Sequence, residues 1–378
     1  MEKFDIYSKN LVVDLGSATI KAGLANDETP RCVFESVRGT PTMTSVMPTS
    51  VPQRTIGLPD SRNSTMRYER LIKRGVLVHP ETGRDIVKRS LEDLKIKVPE
   101  EVCIFLAESN NAPAKQKRIL TEIFLEQMNL SGVCFGNQAV LSLFSEGRTT
   151  GCVLEVGEGV TQCAAIIDGH RLRSGSVCTE LGGQDIDQYL SRLLLQKGIS
   201  FRPHSEFTIL RELKEKTCEV VEVDSKNLLD SPDFSPNHKT FTTPDGEELI
   251  IEKEQLLAPE TLFRPEIAGV DRPGIHELLA SVLLKVDIDI VNSLLRHIFL
   301  SGGSSQFKGL TERFSNELRA LLPPHSKISV SGQARVNRAM SAWVGAAKMS
   351  LLPEFAKLYV TKTEFADFGE SIIERKCF

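Results

Sequence analysis

This chain lacks the sequence patterns of several common classes of protein. None of its eight cysteines forms a C-x-x-C pair and none of its seven histidines forms an H-x-x-x-H pair, so the usual signatures of zinc sites are missing. The cysteines are scattered and several lie in apolar runs, which predicts reduced thiols that pack as small hydrophobic side chains. No G-x-S-x-G segment supports a hydrolase, although a Ser/His/Asp triad is not excluded on sequence alone.

Long apolar runs and a strong net charge are also missing. No run approaches the roughly 18 apolar residues of a membrane-spanning helix, and the first residues carry mixed charge, unlike a signal peptide. The net charge of −4 gives no electrostatic reason to expect nucleic acid or a membrane surface as a partner. With 40% hydrophobic and 25% charged residues among 378, the composition predicts a soluble intracellular protein of about two domains.

Two segments of the chain, 10–23 and 151–164, resemble each other. Each has an apolar run that contains a carboxylate, Asp14 or Glu155, followed by a residue, a glycine, small or polar residues and a second apolar run. This pattern predicts strand, tight turn and strand. The two carboxylates lie about one domain length apart, so we expect two domains with related cores, an internal duplication too long in period for a solenoid.

Other segments predict how the rest of the chain is organised. Apolar residues recur at helical spacing, and β-rich runs alternate with them, which favours an α/β architecture. Two stretches rich in Pro, Thr and Ser are expected to be irregular. The predicted helices are 83–97, 113–128, 185–196 and 208–221, the predicted strands include 102–106 and 298–300, and the irregular stretches are 40–63 and 224–248.

A third glycine-containing segment, 298–309, has an apolar run, a Gly-Gly turn and then a predicted helix over about 309–321. Glycines allow a ligand to approach the backbone, and a helix N-terminus favours anions. Backbone N–H groups of such turns can hold a polyphosphate. Asp14 and Glu155 could hold Mg²⁺ through its water shell, and Lys21 can reach a phosphate as a point charge. No Walker loop is present, so this differs from the P-loop arrangement.

With these three turns in order, the chain resembles the actin family, within the class of two-domain ATPases that includes sugar kinases and Hsp70 chaperones. The resemblance covers essentially the whole length. Further matching segments are 138–143, 147–151, 213–216, 244–246, 274–277 and the end of the chain, 375–378. These segments are typical of actins and actin-related proteins rather than of kinases with the same fold.

The resemblance implies an α/β fold, the two-domain actin-like ATPase fold, with duplicated ribonuclease-H-like cores around a central nucleotide cleft. The outer, small domain would comprise 1–150 and 338–378, with 33–70 as an inserted subdomain. The inner, large domain would comprise 151–337, with 182–270 inserted. These bounds are expectations from the family.

The resemblance also assigns site residues, with ATP or ADP as the cofactor and Mg²⁺, or alternatively Ca²⁺, as the ion. Asp14 and Glu155 would be the metal-site residues. Gln138 aligns with a glutamine that positions the attacking water, a task that suits a neutral amide because it both donates and accepts hydrogen bonds. The nucleotide contacts would be Gly16, Ser17, Ala18, Thr19, Lys21, Gly157, Glu158, Gly159, Val160, Gly183, Lys214, Glu215, Gly302, Gly303, Ser304, Gln306 and Phe307.

Several of these positions depart from the actin pattern. Glu155 and Glu158 stand where actins have aspartates, and a displacement of about 1 Å at a reacting centre can cost on the order of 100-fold in rate. Gln162, the second candidate catalytic residue, stands where actins have a histidine thought to help activate water. A glutamine cannot accept a proton near neutral pH. Ala18 replaces a glycine. We therefore expect nucleotide binding with hydrolysis slower than in conventional actin.

Partner surfaces are altered as well. The loop that actins insert into the next subunit corresponds to about 40–54 and contains three prolines. The acidic N-terminal run used by myosin is missing, which argues against myosin as a partner. We expect partners among other actin-family subunits or copies of this chain, and actin-binding-type proteins at an inter-domain groove, in the cytoplasm and cytoskeleton. The groove candidates are Phe144, Gly147, Thr149, Leu351 and Leu352.

Three functions stay open on sequence alone. The first is an actin-like subunit with nucleotide-linked conformational change and assembly, at most a slow ATPase. The second is a structural subunit of a larger complex with ATP or ADP as an unhydrolysed core ligand, which the changes at Glu155 and Gln162 favour. The third is a small-molecule kinase of the same fold, for which the chain shows no motif beyond the phosphate turns.

Overall fold

The structure, a computed structural model, describes residues 9–41, 55–57, 66–201, 207–222, 236–331 and 336–377. The chain divides into two compact units. The first consists of Met1–Thr149, Asp168–His170 and Arg335–Phe378, and the second of Thr150–Ile167 and Arg171–Ala334. The subdomain bounds expected from the resemblance, 33–70 and 182–270, stay predictions.

The strands of both units are short to medium in length. In chain order they are β1 Asn10–Leu15, β2 Thr19–Leu24, β3 Cys32–Glu35, β4 Val37–Pro41, β5 Thr55–Ile56, β6 Met66–Arg70, β7 Ile72–Lys73, β8 Val76–Leu77, β9 Cys103–Glu108, β10 Gly132–Asn137, β11 Gly151–Val156, β12 Thr161–Ile167, β13 His170–Thr179, β14 Lys239–Thr242, β15 Glu248–Ile251, β16 Ile298–Ser301, β17 Val330–Ser331 and β18 Val360–Thr361.

The α-helices lie between these strands and at the end of the chain. They are α1 Thr82–Asp93, α2 Ala114–Glu122, α3 Gln138–Ser145, α4 Gly183–Gln196, α5 Phe207–Thr217, α6 Glu254–Glu260, α7 Ile275–Leu283, α8 Ile288–Leu295, α9 Leu310–Leu321, α10 Ser341–Ser350, α11 Lys362–Phe368 and α12 Ser371–Lys376. A π-helical turn at Ile123–Gln127 extends α2. Within the described ranges, each helix is too short or too polar to cross a bilayer.

The first unit is built on a six-stranded sheet in the order β18-β10-β9-β1-β2-β3. Strands β1, β9 and β10 run parallel, and β2 returns antiparallel beside β1. All six residues of β1 are buried, with apolar side chains on both faces. Such runs are typical of parallel strands that are covered on both faces by helices.

Apolar clusters cover both faces of this sheet. Leu11 and Val13 pack with the helix residues Ile86 and Leu120 on one face, and Val12 packs with Trp343 on the other. The alternation follows from the two-residue period of a strand. The indole nitrogen of Trp343 donates a hydrogen bond to the Val12 carbonyl at 3.0 Å, so the largest buried side chain of the unit has its polar atom satisfied.

The second unit is built on a five-stranded sheet in the order β13-β12-β11-β16-β17. Its centre repeats the arrangement of the first unit, because β12 pairs antiparallel and β16 parallel with β11, as β2 and β9 do with β1. One large apolar cluster contains Leu154 and Leu300 of the sheet and packs them against α4, α5, α7 and α9. The predicted α/β architecture and the two strand–turn–strand segments are therefore confirmed.

Several predicted elements differ from the structure. The helix predicted to reach residue 221 ends at Thr217, after which the Val220 amide donates to the carbonyl of Lys308 at 2.9 Å. The irregular stretch predicted over 224–248 was wrong in its second part, because β14 and β15 form an antiparallel hairpin there. Phe241, buried in that hairpin, supplies the apolar anchor that the proline-rich composition obscured.

Two further predictions concern the thiols and the inserted loop. None of the eight cysteines, which all lie in the described ranges, forms a disulfide. Cys152 and Cys163 lie side by side in β11 and β12 with their sulfurs 3.8 Å apart. Most of the loop expected at 40–54 lies outside the described residues.

Candidate functional site

The first strand–turn–strand segment brings three predicted site residues together. Asp14 in β1 lies directly opposite Lys21 in β2, and the lysine Nζ is 2.8 Å from Asp14 Oδ2. The other carboxylate oxygen, Oδ1, accepts a hydrogen bond of 2.7 Å from Gln138 Nε2. All three side chains are buried. Two different donors therefore satisfy the two oxygens of a buried carboxylate, as a charge removed from water requires.

Gln138 reaches Asp14 because it is the first residue of α3, which begins directly after β10. The side chain of Asn137 caps this helix and accepts hydrogen bonds from the amides of Ala139 and Val140. The cap fixes the start of the helix, and with it the position of the glutamine. The carboxyl ends of the parallel strands β1 and β10 thus supply the Asp14–Gln138 contact.

The turn between β1 and β2 requires a glycine at its start. A Cβ atom at Gly16 would lie 2.5 Å from the Thr19 carbonyl oxygen, closer than such contacts occur. Ser17, Ala18 and Thr19 are half-buried. The Ser17 hydroxyl accepts a hydrogen bond from the Gly75 amide at 3.3 Å, so the adjacent β7–β8 hairpin supports this turn.

The second strand–turn–strand segment repeats the register of the first. Glu155 in β11 lies opposite Gln162 in β12, and Gln162 Nε2 donates to Glu155 Oε2 at 2.8 Å. The Gly157 amide donates to the Val160 carbonyl at 2.9 Å and closes the turn. The side chain of Gln162 is almost fully buried. Its amide nitrogen is used in orienting the carboxylate, which leaves no group at this position that takes up a proton near neutral pH.

The third glycine turn lies beside the second. Gly302 adopts a positive φ of 86°, which favours glycine, and a side chain there would overlap the Val156 carbonyl. The Ser304 hydroxyl donates to the Gly157 carbonyl at 3.0 Å. The predicted Gly-Gly turn is confirmed, and it is bonded to the second turn within the same unit. Gly303 and Gln306 are exposed, and Phe307 packs partly against the core.

A buried ion cluster lies next to these turns. Lys214 Nζ is 2.9 Å from Asp187 Oδ1 and 3.5 Å from Glu158 Oε2, and it donates to the Gly183 carbonyl at 3.1 Å. A Cβ atom at Gly183 would lie 2.7 Å from Ser304 Oγ. Four residues predicted as nucleotide contacts, Gly183, Lys214, Glu158 and Ser304, are therefore neighbours in the folded unit.

Burial controls the charges of this cluster. It raises the pKa of the Asp187 carboxyl to about 7, because desolvation outweighs the opposing attraction of Lys214 and the nearby Glu158 adds repulsion. For Lys214, burial acts to lower the pKa, but Glu158 and Asp187 outweigh it and the pKa is raised above the usual lysine value. The lysine is thus fully charged at neutral pH, and Asp187 titrates near pH 7.

Not every residue predicted for the site lies in the clusters described above. Glu215 is exposed on α5 while its neighbour Lys214 is buried, because successive helix residues point about 100° apart. Asp187 was missed by the sequence analysis. The only local signal was a second aspartate two residues after Asp185, which itself accepts a hydrogen bond from the Gly182 amide at 2.9 Å at the start of α4.

The groups present fit a nucleotide with a hydrated divalent ion. No three His, Cys, Asp or Glu side chains of the described ranges are grouped so as to hold a metal directly. Mg²⁺ keeps several of its waters and needs only one or two carboxylates, and each of the first two turns has one, Asp14 in the first unit and Glu155 in the second. Backbone N–H groups of glycine turns can hold phosphate oxygens.

The comparisons with known proteins agree with this fold and these turns. The Actin family model matches residues 7–378, so this chain belongs to the actin family and has its two-domain ATPase fold. Centractin of Schizosaccharomyces pombe is 32% identical over 378 residues, which cover 99% of this chain and 99% of the relative. This chain is therefore similar to a centractin along almost its whole length.

Proposed function

We propose that this chain is an actin-like cytoskeletal subunit that binds ATP or ADP with Mg²⁺ and couples the bound nucleotide to conformation and assembly. The observation that carries the proposal is the pair of equivalent turns, each with a carboxylate opposite a nitrogen-bearing side chain at the same register. Membership of the actin family over nearly the whole chain supports it.

The proposed nucleotide contacts are the turn residues described above and the cluster at the start of α4. A bound Mg²⁺ would neutralise charge on the terminal phosphates. Asp14 and Glu155 would orient the water shell of that ion, and Gln138 would hold a water through its amide. Gln138 donates to Asp14 through its amide nitrogen, and the oxygen of an amide can accept a hydrogen bond from a water.

Hydrolysis is proposed to be slow. Gln162 replaces a proton acceptor and its amide nitrogen is occupied by Glu155. General acid–base assistance contributes typically 10²- to 10⁴-fold to a rate, so its loss leaves positioning of the water as the main contribution.

Titration of the full chain with a fluorescent ATP analogue and Mg²⁺ tests nucleotide binding. We expect saturable binding that the substitution Asp14→Asn weakens by on the order of tenfold, about 1.4 kcal/mol. Glu81→Gln, an exposed carboxylate at the start of α1, is the matched control and should bind as the wild type does. Absence of binding in the wild type would refute the proposal.

A phosphate-release assay under polymerising salt tests the proposed slow hydrolysis. We expect bound ATP to stay unhydrolysed for much longer than the polymer takes to assemble. Turnover at the rate of conventional actin would contradict this part of the proposal while leaving nucleotide binding intact.

A second candidate is a structural subunit in which the nucleotide is a permanent ligand. Gln162 favours it, because a glutamine amide cannot take up a proton near neutral pH and its nitrogen donates to Glu155. Sedimentation of polymer combined with nucleotide-exchange rates separates the two candidates. Assembly that follows nucleotide state supports the first, and assembly that is indifferent to a slowly exchanging nucleotide supports the second.

The proposed partners are other actin-family subunits or further copies of this chain, in the cytoplasm and cytoskeleton. Actin-binding-type proteins are proposed to contact the ends of α3 and α10, which pack together where Lys348 Nζ donates to the Ser145 carbonyl at 2.6 Å. Leu351 and Leu352, just beyond α10, are both exposed. Solvent-exposed leucines next to each other are suited to an apolar contact with a partner.

A further inference from the structure

The buried cluster around Lys214 contains one residue, Asp187, that the proposed nucleotide contacts do not include. Asp187 is the fifth residue of α4, and Lys214 lies in the last helical turn of α5. Both side chains are about 4% exposed. Lys214 Nζ is 2.9 Å from Asp187 Oδ1, yet within the described part of the chain neither oxygen of this carboxylate has a well-aligned hydrogen bond. A carboxylate buried in this way depends on its cationic partner for its stability.

The lysine is surrounded by acceptors. Lys214 Nζ donates to the Gly183 carbonyl at 3.1 Å and lies 2.9 Å from Asp187 and 3.5 Å from Glu158 as an ion pair with each carboxylate. The Gly183 carbonyl belongs to the first residue of α4, and Glu158 belongs to the turn between β11 and β12. Lys214 therefore links the start of a helix to that turn.

We propose that Asp187 is a positioning residue of the nucleotide site, which holds the Lys214 ammonium beside Gly183 and Glu158 and so orders the turn between β11 and β12. This inference rests on the proposed nucleotide binding.

The same arrangement makes nucleotide affinity depend on pH near neutrality. The charged and titratable groups that face Asp187 are Lys214 and Arg211 of α5, Glu158 of the second turn, and Cys218 just after α5. Burial raises the pKa of Asp187 to about 7. Protonation below this pH removes one of the three acceptors of Lys214, so the ammonium holds Gly183 and Glu158 less firmly and affinity falls with pH.

The test compares wild type with Asp187→Asn, which keeps the shape of the side chain and removes its charge. A fluorescent ATP analogue is titrated with Mg²⁺ from pH 6 to 8.5. We expect the variant to bind on the order of tenfold more weakly at pH 8, equal to about 1.4 kcal/mol, and to lose the wild-type difference between pH 6 and 8. The phosphate groups of the probe titrate equally in every variant, so the difference between the profiles is the measured quantity.

The matched control is Glu212→Gln, which removes an exposed carboxylate of α5 that pairs with Lys216 at 2.7 Å. It should retain the wild-type affinity and pH profile. Tighter binding by Asp187→Asn than by the wild type would overturn the inference, as would an unchanged pH profile.

Hydrogen–deuterium exchange without nucleotide gives an independent readout. Peptides spanning residues 157–160 and 181–190 should exchange faster in Asp187→Asn than in wild type or Glu212→Gln, because the anchor of the second turn is weakened. Unchanged exchange there would overturn the inference. If the wild type binds no nucleotide, the proposed function fails, while this measurement still decides whether Asp187 orders the turn.

Discussion

In the first hairpin the carboxylate of Asp14 faces Lys21 across the two strands, whereas in the second the carboxylate of Glu155 faces Gln162 at the same relative position. The backbone registers are equivalent, and each nitrogen lies 2.8 Å from the carboxylate. The partner in the first hairpin is a cation and in the second a neutral amide.

The comparison shows that the two turns share their backbone geometry but differ in the charge beside the carboxylate. Both turns keep a glycine two residues after the carboxylate, Gly16 and Gly157, which the tight geometry favours. The carboxylate of the first hairpin has a cation across the strands, and that of the second has a neutral amide. In the second unit the buried cation Lys214 lies at Glu158 and Asp187.

The largest expected effect is from removing the cation of the first hairpin. Lys21→Met leaves the buried Asp14 with only Gln138 as a donor, and breaking a buried pair in this way destabilises by about 3–5 kcal/mol. Urea unfolding of the full chain measures it. Gln162→Met removes a neutral partner from Glu155 and should cost about 1–2 kcal/mol. Equal losses at the two positions would contradict the electrostatic difference.

The next effect concerns the turn glycines. A Cβ atom at Gly16 would lie 2.5 Å from the Thr19 carbonyl, whereas at Gly157 it would lie 3.1 Å from the Val160 carbonyl. We expect Gly16→Ala to lower the free energy of unfolding by about 1–3 kcal/mol and Gly157→Ala to lower it by less. Thermal unfolding of the two variants side by side measures the difference. A larger loss at Gly157 would show that the second turn is the stricter one.

A pH dependence of stability is expected from the second unit. Because the pKa of Asp187 is raised to about 7 in the folded state from an ordinary value of 3.8, the folded protein holds this proton where the unfolded chain has lost it. The contribution of Asp187 to stability is therefore greatest below pH 4 and is lost as pH rises to 7, at no more than about 1.4 kcal/mol per pH unit.

Unfolding of Asp187→Asn between pH 4 and 8 measures this contribution as a difference from wild type. The wild-type curve should fall more steeply with pH. Parallel curves would mean that Asp187 has an ordinary pKa in the folded protein.

The smallest effect is expected on hydrolysis. Gln162→His places a titratable group opposite Glu155, and we expect phosphate release to increase by on the order of tenfold, below the usual range for a well-placed base. Gln162→Asn, which stays neutral, is the control. An increase in both variants would point to loosening of the turn rather than to proton transfer.

The sequence analysis found the hairpins and the three turns because each is defined by residues close together in the chain. Apolar runs, a carboxylate and a glycine within about fifteen residues predict a strand–turn–strand. The same local logic failed at the β14–β15 hairpin, where three prolines within 224–248 suggested an irregular stretch, and at the end of α5. After that helix the Val220 amide donates to the Lys308 carbonyl instead of to a helical partner. No local pattern reveals a partner some 90 residues away.

Lys21 and Lys214 show the same limit within the site. The sequence placed Lys21 beside a phosphate turn, and the resemblance placed Lys214 beside the nucleoside. In the structure the ammonium groups of these lysines lie on the buried carboxylates Asp14 and Asp187. Asp187 had no motif to identify it, since a helical aspartate is usually a solvated residue. Its importance comes from burial against a second helix, which raises its pKa.

The sequence by itself determined the duplicated α/β plan, the family, and the positions of the glycine turns, because strand periodicity and turn chemistry act between neighbours in the chain. The tertiary structure alone decided which cation balances which carboxylate and which aspartate titrates near neutrality. Those outcomes depend on burial and on contacts between distant segments, where a low dielectric makes each charge depend on its partner.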